Sequence, residues 1–188
     1  MKGYTQRMLP FDSTFATFVV AHRSSALTDF FAIVTHAGDV VALTALTIIV
    51  AIVLMLQWRE YVFPFVFASI GSALSVRFLK LLVAEPRPEG FAFTPSETFS
   101  FPSGHAAGSA VFFGFLIYIV LQVQPRWRVA IIAFLVILIL TIGFSRLYLG
   151  VHYVSDVMAG YFVGGVWVWI GTLLVRSRRF QKFVNAKA

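Results

Sequence analysis

The sequence predicts an all-α membrane protein, a polytopic helix bundle with about five transmembrane helices. Hydrophobic residues make up 59% of the 188 residues, charged residues make up 12%, and the mean hydropathy is +0.86. Five apolar runs are long enough to cross a bilayer, which takes about 20 helical residues. Long apolar runs at this composition are typical of membrane spans.

The five runs follow one another without a linker or an internal repeat between them. They are predicted at residues 40–57, 61–84, 102–123, 129–144 and 154–175. We therefore expect a single domain. Within it, we expect residues 1–37 to form an N-terminal interfacial segment, residues 38–176 to form the transmembrane core, and residues 177–188 to form a cytoplasmic tail.

The N-terminal segment has a different pattern, because residues 11–36 carry His22, Arg23 and Asp29 near their middle. A single span would bury these groups at mid-bilayer, where each charge costs about 2.5–3.5 kcal/mol on insertion scales. We therefore expect two short amphipathic helices at the membrane interface, over residues 13–22 and 26–36. A sixth transmembrane span is the alternative.

The formal net charge of +7 comes mainly from residues at the ends of the apolar runs. This placement favours the positive-inside rule and contact with anionic lipid, and it argues against nucleic acid as the partner. Eight of the 15 Lys and Arg residues lie on one side if five spans alternate, among them Arg126 and Arg128. That side is predicted to be cytoplasmic, so the 85–101 loop and the loop near Gly150 face outward.

Neither a metal site nor a cofactor is predicted. The chain has no cysteine, which excludes disulfides and thiolate metal sites. Glu85, Glu89 and Glu97 lie in the 85–101 loop, where paired carboxylates are the one feature that suggests a metal. Because the loop is short and the predicted phosphate site is cationic, we interpret these glutamates as solvated loop charges.

Three fixed cations lie at the predicted outer ends of the spans: Lys80, Arg87 and Arg146. This set suits a phosphate dianion, because arginine pairs with its oxygens in a bidentate way and lysine adds a point charge. Arg77 lies three residues before Lys80, and lipid-phosphate contact and internal pairing are equally open for it.

A Pro-Ser-Gly-His turn at residues 102–105 opens the third run. Free backbone N–H groups at a helix N-terminus form a ready anion site. Gly104 lets the backbone approach a ligand closely, and Ser103 adds a hydroxyl donor. The turn is therefore a second candidate contact for phosphate.

Two histidines complete the candidate chemistry. His152 and Asp156 are four residues apart, so on a helix they share a face. The carboxylate can then bind one ring nitrogen and leave the other as a nucleophile. His105 can protonate the leaving oxygen as a general acid. His22, His36 and Asp39 are interpreted as structural or interfacial.

Together these residues resemble the three signature motifs of the type 2 phosphatidic acid phosphatase superfamily. The motifs are Lys80-x6-Arg87-Pro88, Pro102-Ser103-Gly104-His105 and Ser145-Arg146-x5-His152-x3-Asp156. They occur in the family's order with no substitution at a signature position, and the resemblance covers about residues 25–175. Many members have a six-span core, and this chain is predicted to lack the first span.

The resemblance implies metal-independent hydrolysis of a lipid phosphate or pyrophosphate through a phosphohistidine. The enzyme would lie in a bacterial inner or plasma membrane with its site facing the periplasm or exterior. His152 would be the nucleophile, Asp156 its orienting group and His105 the general acid. Lys80, Arg87, Ser103, Gly104 and Arg146 would hold the phosphate.

Substrate and function class remain open at several points. The resemblance supplies phosphatidylglycerophosphate, phosphatidic acid, undecaprenyl pyrophosphate and a lipid A phosphate as candidate substrates. A lipid phosphotransferase would share every motif. A transporter for an anion or lipid, with a cationic cavity, is the alternative from another class, and a lipid binder without activity is a further one. The sequence does not decide the oligomeric state.

Overall fold

The computed structural model describes residues 10–88 and 98–177, and within these ranges the regular structure is helical. In these two ranges, seven α-helices and one short 3-10 turn follow one another. They are α1 (Pro10–Ala21), α2 (Ser25–Thr35), the 3-10 turn (His36–Gly38), α3 (Val40–Gln57), α4 (Arg59–Val83), α5 (Gly104–Val123), α6 (Arg128–Tyr148) and α7 (Val154–Arg176).

Within the part of the chain that the structure describes, five helices, α3 to α7, are long and apolar enough to cross a membrane. They contain 18 to 25 residues, and their most apolar windows have mean hydropathies of 1.7 to 2.7. The predicted all-α fold with five spans is therefore confirmed. The largest difference in bounds is at the end of α6, which continues to Tyr148 rather than stopping near Phe144.

The N-terminal segment forms two separate helices rather than a sixth span. α1 has 12 residues and α2 has 11, so each is about 18 Å long or less, too short for a bilayer core of about 30 Å. Both pack on the end of α6, where Phe15 and Phe31 contact the Phe144 ring. The Arg23 guanidinium donates to the Tyr148 carbonyl at 2.9 and 3.1 Å.

α5 is the central helix of the bundle and packs most closely against α7. Small residues make this approach possible. A Cβ added to Gly160 would lie 2.6 Å from the Ser103 carbonyl oxygen, and one added to Gly164 would lie 2.6 Å from that of Ala107. Such small-residue contacts let the backbones of membrane helices approach each other. They hold the first turn of α5 against the first turns of α7.

The five spans alternate in direction, so the ends of α4 and α6 and the starts of α3, α5 and α7 share one side. The opposite side carries Arg126 and Arg176, whose guanidinium groups lie over the rings of Trp127 and Tyr118.

Residues 89–97 of the predicted outer loop, including Glu89 and Glu97, lie outside the described residues. So do residues 1–9 and the tail from residue 178.

Candidate active site

The predicted site residues lie at one end of the bundle. Lys80 is in the last turn of α4, and Arg87 is in the loop that follows. Ser103 is the N-cap of α5, with Gly104 and His105 in its first turn. Arg146 is in the last turn of α6, and His152 and Asp156 flank the start of α7. The helix order therefore places all three motifs on the same side.

His152 and Asp156 form a buried pair. His152 Nδ1 is 3.1 Å from Asp156 Oδ2, and the side chains are 2% and 0% exposed. The prediction that both residues lie on one face of a helix is wrong for His152, because His152 precedes α7, which begins at Val154. Asp156 reaches back as a capping group and accepts the Tyr153 backbone N–H at 2.9 Å. The cap brings the carboxylate to the histidine.

The other ring nitrogen of His152 faces a cation. His152 Nε2 is 3.3 Å from Arg87 Nη1. Arg87 is held in place because it donates to the Val151 and Thr98 carbonyls, both at 2.8 Å, and to Thr98 Oγ1 at 2.9 Å. An anion held by this guanidinium would therefore lie next to His152 Nε2.

Burial lowers the pKa of His152 to about 3. The hydrogen bond and charge of Asp156 oppose this shift, and the positive charges of Arg87 and Arg146 add to it. The ring is therefore neutral at neutral pH. A neutral ring that donates Nδ1–H to Asp156 keeps its lone pair on Nε2, which is the form a nucleophile needs.

The Pro-Ser-Gly-His turn is joined to the third motif through its backbone. The Ser103 N–H donates to the Asp156 carbonyl at 3.0 Å, and Ser103 Oγ accepts from the Ala106 N–H at 3.5 Å. The turn therefore presents the N-terminus of α5 beside the start of α7. The N–H groups of Gly104 and His105 belong to this first turn, where helix donors have no intrahelical acceptor.

Protein oxygens hold the two remaining cations. Lys80 Nζ donates to the carbonyls of Phe99 and Ser100, the second at 3.1 Å. Arg146 Nη1 donates to Thr35 Oγ1 at 2.7 Å. Within the described parts of the chain, Arg146 Nε is buried and has no hydrogen-bond partner. An anion bound at this position would supply the partner that this buried donor lacks.

Ser100 is a site residue that the sequence reasoning missed. It is fully buried, its hydroxyl donates to Asp156 Oδ2, and its Oγ lies 3.3 Å from His152 Nδ1. The only signal in the sequence is its position two residues before Pro102. That position predicts nothing by itself, because the contact depends on how the loop folds back onto α7.

Asp39, which the sequence indicated to be structural or interfacial, also contacts the candidate general acid His105. Its Oδ1 is 2.8 Å from His105 Nε2, and its Oδ2 is 2.7 Å from His36 Nδ1. Burial by itself raises the pKa of Asp39, but the hydrogen bonds from His36 and His105 outweigh it and hold the pKa below its usual range. Asp39 is therefore an ionised partner of His105.

A cleft opens beside His152 between α1 and the segment that joins α6 to α7. Its cavity volume is about 10 Å³, the space of about one water molecule. Its lining includes the apolar side chains of Phe15, Val19 and Leu147.

Among residues 10–88 and 98–177, no three His, Asp or Glu side chains are grouped as metal ligands would be.

These features define a class of protein, an integral membrane helix bundle with a cationic site at one end. Residues 61–180 match the sequence model of the PAP2 superfamily, which is more than half of the chain. The chain therefore belongs to the PAP2 superfamily.

Curated relatives include phosphatidylglycerophosphatase B of Bacillus subtilis, 30% identical over 139 residues, or 70% of this chain and 66% of the relative. Lipid A 4'-phosphatase of Bacteroides thetaiotaomicron is 40% identical over 72 residues, or 38% of this chain and 29% of the relative. Lipid A 1-phosphatase of Rhizobium etli is 36% identical over 117 residues, or 57% and 47%. The matched segments thus span less than two thirds of each relative's length.

Two solved structures share the fold. A transmembrane PAP2-type phosphatidylglycerolphosphate phosphatase from Bacillus subtilis superposes with a TM-score of 0.79 at 23% identity, covering 86% of this chain and 83% of that one. Aquifex aeolicus LpxE superposes with a TM-score of 0.74 at 25% identity, covering 89% and 98%.

Proposed function

We propose that the protein hydrolyses the phosphate or pyrophosphate of a membrane lipid through a phosphohistidine, without a metal ion. The observation that carries this proposal is the arrangement around His152. Asp156 binds Nδ1 at 3.1 Å, while Nε2 is 3.3 Å from the Arg87 guanidinium. A neutral, oriented nucleophile beside a phosphate-binding cation is what phosphoryl transfer to histidine requires.

In the first step, His152 Nε2 attacks the terminal phosphorus and the bond from that phosphorus to the leaving oxygen breaks. His105 donates a proton to the leaving oxygen, so a lipid phosphate leaves as the lipid alcohol and a lipid pyrophosphate leaves as the lipid monophosphate. Lys80, Arg87 and Arg146 neutralise the charge that develops on the phosphoryl oxygens. Phosphoryl transfer depends mostly on positioning and electrostatics, and these residues supply both.

In the second step, water attacks the phosphohistidine. His105, now neutral, accepts a proton from that water, and inorganic phosphate leaves with His152 restored. Ser103 and the first-turn N–H groups at Gly104 and His105 would bind the phosphoryl oxygens in both steps. With water as the co-reactant, the two steps balance.

Two observations support a lipid as the substrate. The candidate site lies at one end of five helices that are long and apolar enough to cross a membrane, where a lipid headgroup would reach it. The relatives' names add phosphatidylglycerophosphate and lipid A phosphates as candidates. Phosphatidic acid and undecaprenyl pyrophosphate stay in the set because the proposed site residues would contact only the terminal phosphate.

The site would face the periplasm or cell exterior of a bacterial inner or plasma membrane. The basic residues Arg126, Arg128 and Arg176 lie at the opposite end of the spans, and the positive-inside rule assigns that end to the cytoplasm. α1 and α2 would then lie at the outer interface. Because the chain has no cysteine, a single introduced cysteine tests this orientation.

The function is tested with the purified protein in detergent, in EDTA, on dioctanoyl forms of the candidate lipid phosphates. Wild type should release inorganic phosphate, and His152→Ala should reduce the rate by about 10³-fold or more, because the nucleophile is gone. A lipid labelled with ³²P should transfer acid-labile label to wild type and none to His152→Ala. His22→Ala is the matched control, since His22 is exposed and contacts Phe18.

Release of phosphate that needs magnesium, or that survives His152→Ala, would contradict the proposal. Label that passes to a second lipid instead of to inorganic phosphate would identify a phosphotransferase. Lipid or anion uptake into proteoliposomes without phosphate release would identify the transporter alternative.

A further inference from the structure

We infer that Asp39 is a positioning residue for His105, which extends the proposed function because it rests on His105 acting as the general acid. Asp39 Oδ1 lies 2.8 Å from His105 Nε2. The arrangement parallels the contact of Asp156 with His152 Nδ1 at 3.1 Å. Each candidate catalytic histidine therefore has a carboxylate of its own, one from the third motif and one from outside all three motifs.

The local fold holds Asp39 against the histidine. The 3-10 turn His36–Gly38 joins α2 to α3, and Asp39 is the N-cap residue of α3. Gly38 is buried, and a Cβ there would lie 3.1 Å from His105 Cδ2 and 2.6 Å from Ile142 Cγ2. The turn is thus packed directly on the His105 ring. The Asp39 side chain is 40% exposed, but that of His105 is only 18% exposed and its ring is packed against the turn. This packing separates the contact from a fully solvated surface ion pair, both of whose partners are free to move.

The contact decides which nitrogen of His105 can serve the reaction. Because Asp39 accepts the proton on Nε2, the nitrogen left for proton transfer is Nδ1. His105 would pass its Nδ1 proton to the departing lipid oxygen and recover one from the attacking water. Asp39 stays ionised throughout, fixes the ring orientation, and stabilises the ring while it is protonated.

The same short segment reaches a second member of the site. Thr35, the last residue of α2, accepts a hydrogen bond from Arg146 Nη1 at 2.7 Å. Residues 35–39 therefore contact both the proposed acid and one of the proposed phosphate-binding arginines. This explains why a segment without any signature motif packs over the catalytic end of the bundle.

The test uses Asp39→Asn, which keeps the shape and removes the charge. An alkoxide leaving group needs a proton from the acid, whereas 4-nitrophenolate leaves as a stable anion. We therefore expect Asp39→Asn to lower kcat/KM for dioctanoyl phosphatidic acid by about 10- to 100-fold, a part of the 10²–10⁴-fold that a general acid supplies. The value for 4-nitrophenyl phosphate should change by less than about threefold. Asp39→Glu should recover part of the loss.

Asp29→Asn is the matched control, because it makes the same substitution at an exposed aspartate of α2 outside the 35–39 segment. It should leave both rates within about twofold, as an exposed charge away from the site contributes little. A second measurement does not depend on the aryl probe. Adding Asp39→Asn to His105→Ala should cause no further loss on phosphatidic acid, because the residue through which Asp39 acts is already gone.

The two proposals fail in different ways. If His105→Ala lowers kcat/KM equally for phosphatidic acid and for 4-nitrophenyl phosphate, His105 is not the general acid and the proposed mechanism is wrong. His105→Ala can instead lower kcat/KM for phosphatidic acid much more than for 4-nitrophenyl phosphate. If Asp39→Asn then lowers kcat/KM for both substrates equally, only the role of Asp39 is refuted. A further loss in the double variant as large as that of Asp39→Asn alone would also refute it. Thermal unfolding in detergent checks that each variant is folded.

Discussion

Replacing Ser100 by alanine removes one of the donors to Asp156 Oδ2. In the described structure the others are His152 Nδ1 at 3.1 Å and the Tyr153 N–H at 2.9 Å. A hydrogen bond to a charged group contributes about 1.5–3 kcal/mol, and two donors remain, so the lower end applies. If that loss is expressed in the transition state, kcat/KM falls about tenfold, since about 1.4 kcal/mol corresponds to a factor of ten.

The assay for this prediction is steady-state phosphate release from dioctanoyl phosphatidic acid by Ser100→Ala in detergent. Ser109→Ala is the matched control, because Ser109 is also fully buried but bonds only to the Ala106 carbonyl of its own helix in the described structure. Ser109→Ala should keep the wild-type rate. A Ser100→Ala rate within about twofold of wild type, or an equal loss in both variants, would show that the hydroxyl does not orient Asp156.

Two further predictions concern packing and protonation. Gly164→Val should destabilise the bundle by about 1–3 kcal/mol or more, since its Cβ would lie 2.6 Å from the Ala107 carbonyl oxygen. Gly165→Val is the control and should keep the wild-type unfolding temperature, because a Cβ there has open space around it. Equal shifts of the unfolding temperature in both variants would refute this prediction. The His152 pKa of about 3 predicts that its ¹⁵N ring signals, assigned by their absence from His152→Gln, stay those of a neutral ring from pH 8 to pH 5. Because the unfolded ring takes up a proton near pH 6.5, His152 should also reduce stability as the pH falls below that value, and a ring that titrates near 6.5 would contradict the assignment.

The spans were predictable because each depends on local composition. α3 matches its predicted bounds of 40–57, and α5 and α7 match within two residues at each end. The end of α6 was missed because Ser145 and Arg146 interrupt its apolar run, although the helix continues through them to Tyr148. A polar residue does not end a helix when its side chain has partners, and Arg146 has Thr35.

The N-terminal segment shows how a local argument predicted the elements but missed their contacts. The cost of burying Arg23 correctly favoured two short helices over one span. The sequence could not predict that Arg23 bonds to the Tyr148 carbonyl or that Asp12 accepts the N–H groups of Val154 and Ser155 at 2.9 and 3.3 Å. These partners lie more than 120 residues away, so no spacing pattern connects them.

The sequence by itself determined the membrane bundle, the side on which the polar residues gather, and eight candidate site residues. These follow from apolar run length and motif spacing, which are properties of short stretches of chain. The tertiary structure alone decided how the ring nitrogens are engaged, with Asp156 on Nδ1 of His152 and Asp39 on Nε2 of His105. It also added Ser100 to the site. The physical reason is that a hydrogen bond depends on atomic distance and direction, which segments far apart in the chain acquire only when the helices pack.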